Sequence, residues 1–306
     1  MSYTLLLLGA MENKKMVDIT LLDGGMGQEL LKRSANPAHP MWSAKVLLDE
    51  PGIVQSAHED YIKAGADVIT LNTYSVTPER LQRDGKPEWF KPLQAKAIEL
   101  ANAARASAGK NVRVAGCLPP LRASYRPDLS PDFEDNLRRY REIVAEQKDH
   151  VDLIQCETMA SIAEATAACT AAVESSLPVW ICLTVADDGS HTLRSGENLK
   201  DALDALAGRG AEAVLLNCSI PEAITANLPI LADHGLRFGA YANGFTSIKA
   251  LEPGGTVDAL EARTDLTPEK YANHVDAWID IGATIVGGCC EVGPAHIAEL
   301  AARLKS

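Results

Sequence analysis

Ala213-Val-Leu-Leu-Asn-Cys218 opens a unit whose pattern recurs along the chain. An apolar run ends in a polar, thiol-bearing turn, and Pro221 then starts an amphipathic stretch over 221–233. That stretch stops at His234-Gly-Leu236, where the next apolar run, Arg237-Phe-Gly-Ala-Tyr241, begins. A short, near-continuous apolar run predicts a strand buried on both faces, as in a parallel sheet. Proline in the first turn and glycine just past the last one bound the helix between two such strands.

Working outward, the apolar runs fall at 19–22, 68–71, 112–115, 151–154, 179–185, 213–216, 237–241 and 284–286. Helical stretches read most clearly at 53–64, 91–107, 133–148, 160–174, 198–208, 221–233, 268–281 and 294–304, with Pro131, Pro221 and Pro294 suited to the first turn of three of them. Eight strand–helix alternations predict an α/β protein, a single (β/α)8 TIM-type barrel with its active site at the C-terminal ends of the strands. An open doubly wound sheet would have fewer strands and a glycine-rich phosphate loop, and the chain has no such loop. The stretch 24–52, rich in Pro, Asn and His, reads as an insertion after the first strand. The barrel domain is expected to span 16–306, with 1–15 a poorly ordered N-terminal appendage.

Composition narrows the function classes. The chain has 306 residues, is 46% hydrophobic, and carries a net charge of −12 without a basic cluster, which argues against nucleic acid as a partner. Leu5-Leu-Leu-Leu8 is too short to span a bilayer or to form a signal peptide, so no membrane partner is expected. Seven cysteines, an odd number scattered through apolar segments, do not make a secreted disulfide framework and favour the cytoplasm.

The residues just after the runs are where a barrel keeps its chemistry. They include Asp23-Gly-Gly25, Asn72-Thr-Tyr74, Gly116-Cys117, Cys156-Glu-Thr158, Asn217-Cys218, Ala242-Asn-Gly244 and Gly287-Gly-Cys-Cys290. Cys169 and Cys182 read as buried small hydrophobes. Cys289-Cys290 does not, because neighbours on a strand face opposite ways and both can meet one ion only where the chain turns. The two preceding glycines permit that turn. Cys218, Cys289 and Cys290 therefore suit a soft metal, and three thiolates with one open position describe a catalytic Zn²⁺ site better than a structural one. Such a site carries net negative charge, so it is a poor generator of hydroxide but a good holder of a fourth sulfur as thiolate.

Asp23-Gly-Gly-Met-Gly, Asn72-Thr-Tyr, Cys156-Glu-Thr, Asn217-Cys and Gly287-Gly-Cys-Cys occur in an order that resembles the zinc-dependent homocysteine S-methyltransferases over about 18–304. The resemblance implies a Zn(Cys)3 site at Cys218, Cys289 and Cys290, homocysteine as methyl acceptor and methionine as product. It implies that Asp23 and Glu157 hold the homocysteine ammonium. Thr73 and the N–H groups around Gly24, Gly25 and Thr158 would then receive the carboxylate, and Asn243 would lie near the substrate. Tyr74, Tyr125, Tyr241 and Trp42 are candidate neighbours of a cationic methyl donor, since aromatic faces attract sulfonium and quaternary ammonium groups.

One segment departs from the family. Gly116-Cys-Leu-Pro-Pro120 stands where many relatives that use S-methylmethionine have Gly-Pro-Tyr-Gly, although Tyr125-Arg126 keeps a family feature. This loop bears on the donor. S-methylmethionine leads, followed by S-adenosylmethionine, betaine or a small methylated sulfur compound; selenocysteine is the alternative acceptor. A non-catalytic zinc barrel would need a fourth protein ligand. A carbon–carbon lyase would want histidine at a metal site, and none of the seven histidines directly follows an apolar run.

Overall fold

Period-two packing organises the barrel wall. The computed structural model describes residues 18–304, so the appendage expected at 1–15 lies outside the described residues. In chain order the elements are β1 (Thr20–Leu21), α1 (Met26–Arg33), α2 (Ser43–Asp49), α3 (Pro51–Ala64), β2 (Val68–Thr70), α4 (Pro78–Asp84), α5 (Phe90–Ser107) and β3 (Arg113–Leu118). They continue with α6 (Phe133–Gln147), β4 (Leu153–Met159), α7 (Ile162–Val173), β5 (Val179–Leu183), α8 (Leu199–Leu206) and β6 (Ala213–Asn217). The last five are α9 (Pro221–His234), β7 (Phe238–Tyr241), α10 (Pro268–Ile281), β8 (Ile285–Val286) and α11 (Pro294–Leu304).

Eight strands lie side by side in the order β1-β8-β7-β6-β5-β4-β3-β2, and all neighbours are parallel. A parallel bridge from Leu22 to Val68, with Asp23 N–H donating to Val68 O at 3.0 Å, joins the outer strands and closes the ring. The expected barrel is the observed one.

Alternate residues face inward. Trp180, Cys182, Ala213, Leu215, Tyr241 and Ile285 pack together inside the ring. Their neighbours Ile181, Val214, Leu216, Ala240 and Val286 pack outward against the helices. Trp180, fully buried, fills the N-terminal end, with the guanidinium groups of Arg113 and Arg237 5.2 and 6.0 Å from its ring centroid.

Three expectations need correcting. β3 and β4 run further than their apolar runs, so Cys117, Cys156 and Glu157 sit within strands rather than beyond them. Backbone pairing continues after apolar patterning stops, because polar inward positions near the mouth still complete the ladder. Pro131 precedes the N-cap of α6, where the Asp132 carboxylate accepts from Asp135 N–H at 3.0 Å, so it is outside the first turn. The stretch 24–52 is not a bare insertion but holds α1 and α2, whose apolar residues form a second core against α3 and α5. Both helices are too short for their periodicity to stand out.

Candidate active site

The C-terminal mouth of the barrel is a cavity lined by Asp23, Gly24, Gly25, Tyr74, Tyr125, Glu157, Thr158, Tyr241 and the three cysteines Cys218, Cys289 and Cys290. The sulfurs of those cysteines lie within 4.8 Å of one another. Cys218 follows β6 with a left-handed φ of 49°, which turns its side chain away from the course of the strand. The Asn217 amide ties this turn to β4 across the barrel mouth, accepting from Thr158 N–H at 3.1 Å and donating to Thr158 Oγ1 at 3.0 Å. Cys289 and Cys290 follow β8, where Cys289 N–H donates to Ala242 O at 2.9 Å and Cys290 O accepts from Gly244 N–H at 2.8 Å. Cys218 and Cys289 are joined as a disulfide, whereas the sequence points to three separate thiols. Sulfurs near enough to pair across two strand ends are also near enough to share one ion once reduced. A tetrahedral zinc site needs sulfurs about 3.8 Å apart, so the set fits a soft metal.

The 287–292 segment packs hard against the turn after β1. A Cβ on Gly24 would lie 2.0 Å from Val292 O, and one on Gly25 would lie 2.4 Å from Cys289 O. Glycine is required at both positions to bring Asp23 and the cysteines into one cavity.

Two carboxylates share this space. Asp23 accepts from Thr70 N–H at 2.8 Å and from the Thr70 hydroxyl at 3.4 Å. Burial, reinforced by the Glu157 charge and opposed by the Thr70 bonds, pushes its pKa up to about 8. Glu157 points inward on β4 and accepts from Cys117 Sγ, Tyr241 OH and Gln155 Nε2, each at 3.0 Å. Burial raises its pKa, while those three neutral donors pull it down. Neither carboxylate forms an ion pair with a basic side chain among the described residues. Two buried acids without a cation make a site for one.

Not every expected residue reaches the cavity. Thr73 is fully buried on the outer side, its hydroxyl accepting from Gln147 Nε2 at 3.2 Å, and it does not line the mouth. Asn243 is also fully buried and holds a turn, its side-chain oxygen accepting from Phe245 N–H at 3.1 Å. The Gly25 and Thr158 N–H groups are taken by Val292 O at 2.9 Å and Asn217 Oδ1 at 3.1 Å. Cys117 stands outside the thiol cluster and bonds to Glu157 instead of merely packing.

The aromatic residues are committed as well. Arg80 lies 5.3 Å from the Tyr74 ring centroid and Arg194 lies 4.9 Å from that of Tyr125. Trp42 meets Tyr74 edge-on at 5.9 Å, and its indole N–H donates to Gln28 Oε1 at 3.2 Å.

Sequence reasoning missed Arg80, Gln155, and the cover formed by Leu251 and residues 252–260 between β7 and α10. The signal for that cover was length, since a long connection without its own periodicity in a barrel is commonly functional. Gln155 was findable by parity, two residues before Glu157 on the same strand face.

A family model described as homocysteine S-methyltransferase matches residues 20–304. The chain is 34% identical over 310 residues to a homocysteine S-methyltransferase of Escherichia coli (strain K12), covering 94% of this chain and 95% of the relative. It is 28% identical over 330 residues to a selenocysteine methyltransferase of Astragalus bisulcatus, covering 94% and 92%. The crystal structure of the Escherichia coli homocysteine methyltransferase MmuM in its metallated form superposes with a TM-score of 0.78 at 31% identity, covering 94% of this chain and 96% of that one.

Proposed function

This chain belongs to the homocysteine S-methyltransferase family, and from that premise we propose that it moves a methyl group from a cationic donor, S-methylmethionine foremost, to the thiolate of homocysteine. Methyl transfer to homocysteine is its activity; zinc at Cys218, Cys289 and Cys290, the donor and the residue roles are our reading. One observation carries that reading: three clustered sulfurs share a cavity with two buried carboxylates that have no basic partner.

A zinc ion held by the three cysteines would lower the pKa of a fourth sulfur, so that the acceptor is a thiolate at neutral pH. The chain's own residues do the rest. Asp23 and Glu157 receive the homocysteine ammonium, a cation that the protein itself does not bring to them. Cys117, Gln155 and Tyr241 orient the Glu157 carboxylate through their hydrogen bonds. The Gly24 N–H, which has no protein acceptor among the described residues, is the natural partner of the acceptor carboxylate. Phe245 and Leu251 line the cavity with apolar surface, and transfer is governed by alignment of sulfur, methyl carbon and leaving group. No general base is needed, since the displacement consumes no proton. A sulfonium or quaternary ammonium donor leaves as a neutral molecule, which favours both over neutral methyl folate, and a thioether leaves more readily than the tertiary amine of betaine.

No helix among the described residues is long and apolar enough to cross a membrane, and thiol ligands suit the reducing cytoplasm. The selenocysteine methyltransferase relative favours including a selenol acceptor as the second reading. The test is methionine formation by reduced protein across a donor panel, with and without zinc chelation. S-methylmethionine should support turnover and chelation should stop it. Turnover with methyltetrahydrofolate, or with betaine but no sulfonium, would overturn the donor ranking, and full activity after verified zinc removal would overturn the metal's role.

A further inference from the structure

We propose that Arg80 is a carboxylate-binding subsite for the methyl donor, selecting donors that carry an anionic group as well as the cationic methyl-bearing atom. The proposal rests on the methyl-transfer reading above and adds to it what the donor must look like at its other end.

Arg80 lies on α4 and lines the same cavity as the thiols. Its Nε and Nη2 donate to Pro120 O at 3.3 and 3.0 Å, and Nη2 also reaches Ser124 Oγ at 3.3 Å. Ser124 is in turn held by the Tyr74 hydroxyl at 2.9 Å, and the guanidinium lies over the Tyr74 ring. Pro120 O, Ser124 Oγ and the Tyr74 ring thus fix its orientation, and none of the three is negatively charged.

Nη1 has no protein partner among the described residues, and no carboxylate lies within ion-pair distance of the side chain. Nearby arginines differ. Arg83, one turn along α4, is clamped to Asp84 at 2.8 and 2.6 Å, and Arg194 is paired with Asp187 at 3.0 Å. Glu252, on the cavity's cover, is paired with Arg126 at 3.3 Å. A guanidinium stays protonated at any ordinary pH, so Arg80 is a preoriented cation lacking its anion. Its fork matches a carboxylate, and its remaining donor is free to receive one.

The acceptor does not need it. Homocysteine's sulfur belongs with the cysteines after β6 and β8, its ammonium with Asp23 and Glu157, and its own carboxylate with the turn after β1. Arg80 is held by the loop after β3, the segment where the sequence departs from its relatives. Because Arg80 also covers one face of Tyr74, that face is closed to the donor's cationic end, which leaves the carboxylate as the part of the donor suited to this corner.

The experiment compares S-methylmethionine with its carboxamide as donor to homocysteine, using the full-length, reduced, zinc-loaded protein. Wild type should prefer the acid by about 10- to 100-fold in kcat/KM, the factor typical of a charge-assisted pair. Arg80→Gln should collapse that ratio toward unity while the KM for homocysteine stays within about twofold, and Arg80→Lys should restore part of it. Equal use of acid and amide by wild type would overturn the proposal. So would a rise in homocysteine KM in Arg80→Gln with the donor ratio unchanged, which would hand the subsite to the acceptor. Calorimetric binding of acid and amide to wild type needs no turnover: a preference for the acid supports the subsite even if methyl transfer fails, and equal binding overturns it.

Discussion

The two ends of this barrel solve opposite problems. At the N-terminal end, Trp180 plugs the ring, Arg113 and Arg237 stack on it, and Arg237 is paired with Glu212. At the C-terminal end, Asp23 and Glu157 are buried without a cation, Arg80 lacks an anion, and three sulfurs crowd together. The closed end carries stability because Trp180 is fully buried there and Arg237 is paired with Glu212. The open end is incomplete in three places, each the complement of part of an amino acid or of a metal. Acids, a cation and thiols left incomplete around one cavity are the physical mark of a binding site.

The sharpest way to break the contrast is to remove a sulfur. Cys218→Ala, Cys289→Ala and Cys290→Ala should each lose the bound zinc, expected at about one per chain, and lower methionine formation by at least about 10³-fold. Metal analysis alongside the activity assay checks this, and full zinc with full activity in all three would misplace the site. At the other end, Trp180→Ala should cost about 3–5 kcal/mol of stability by leaving a cavity in the plug, read by denaturant unfolding. Its homocysteine KM should stay near wild type, and a large rise would show that the two ends are coupled.

Glu157→Gln tests the mouth more gently. It should weaken homocysteine binding by about 2–4 kcal/mol while zinc content is retained, as expected when one member of a buried charge pair is lost. Unchanged affinity in a folded variant would remove Glu157 from the site.

The smallest effect is a proton. With its pKa pushed from the ordinary 3.8 to about 8, Asp23 is mostly protonated at neutral pH in the ligand-free protein. Binding of an ammonium should expel that proton. Methionine, which has no thiol to ionise, should therefore release nearly one proton at pH 7 and much less above pH 8, measured by calorimetry in buffers of different ionisation heat. Asp23→Asn should abolish the release. The same shift sets a stability trend: the folded state binds the proton more tightly than the unfolded chain between about pH 4 and 8. The Asp23 contribution should therefore fall as pH rises through that window and level off above it.

Much of this was legible in the residues. Eight apolar runs bounded by proline and glycine define a parallel barrel because strand burial and helix termination are local effects, written within about twenty residues of sequence. Cys218, Cys289 and Cys290 could be singled out because thiols at strand ends have few roles, and Asp23 and Glu157 because each follows or ends an apolar run. Thr73 misled for an equally physical reason: a strand end names the neighbourhood but not the side of the wall, and its hydroxyl turned out toward Gln147. Likewise Tyr74 and Tyr125 stand at the mouth as expected, but which partners cover their rings depends on side chains far away in sequence.

Short stretches of residues carry the barrel, the end that holds the chemistry, and the sulfur and carboxylate groups available there, because alternation, turn chemistry and residue type are local properties. Which polar groups are satisfied depends on the assembled fold. It gave Glu157 its three neutral donors, brought Cys117 to it from a different strand, and left Arg80 without an anion. Satisfaction is a sum over neighbours drawn from many strands and loops, and no single stretch of chain contains that sum.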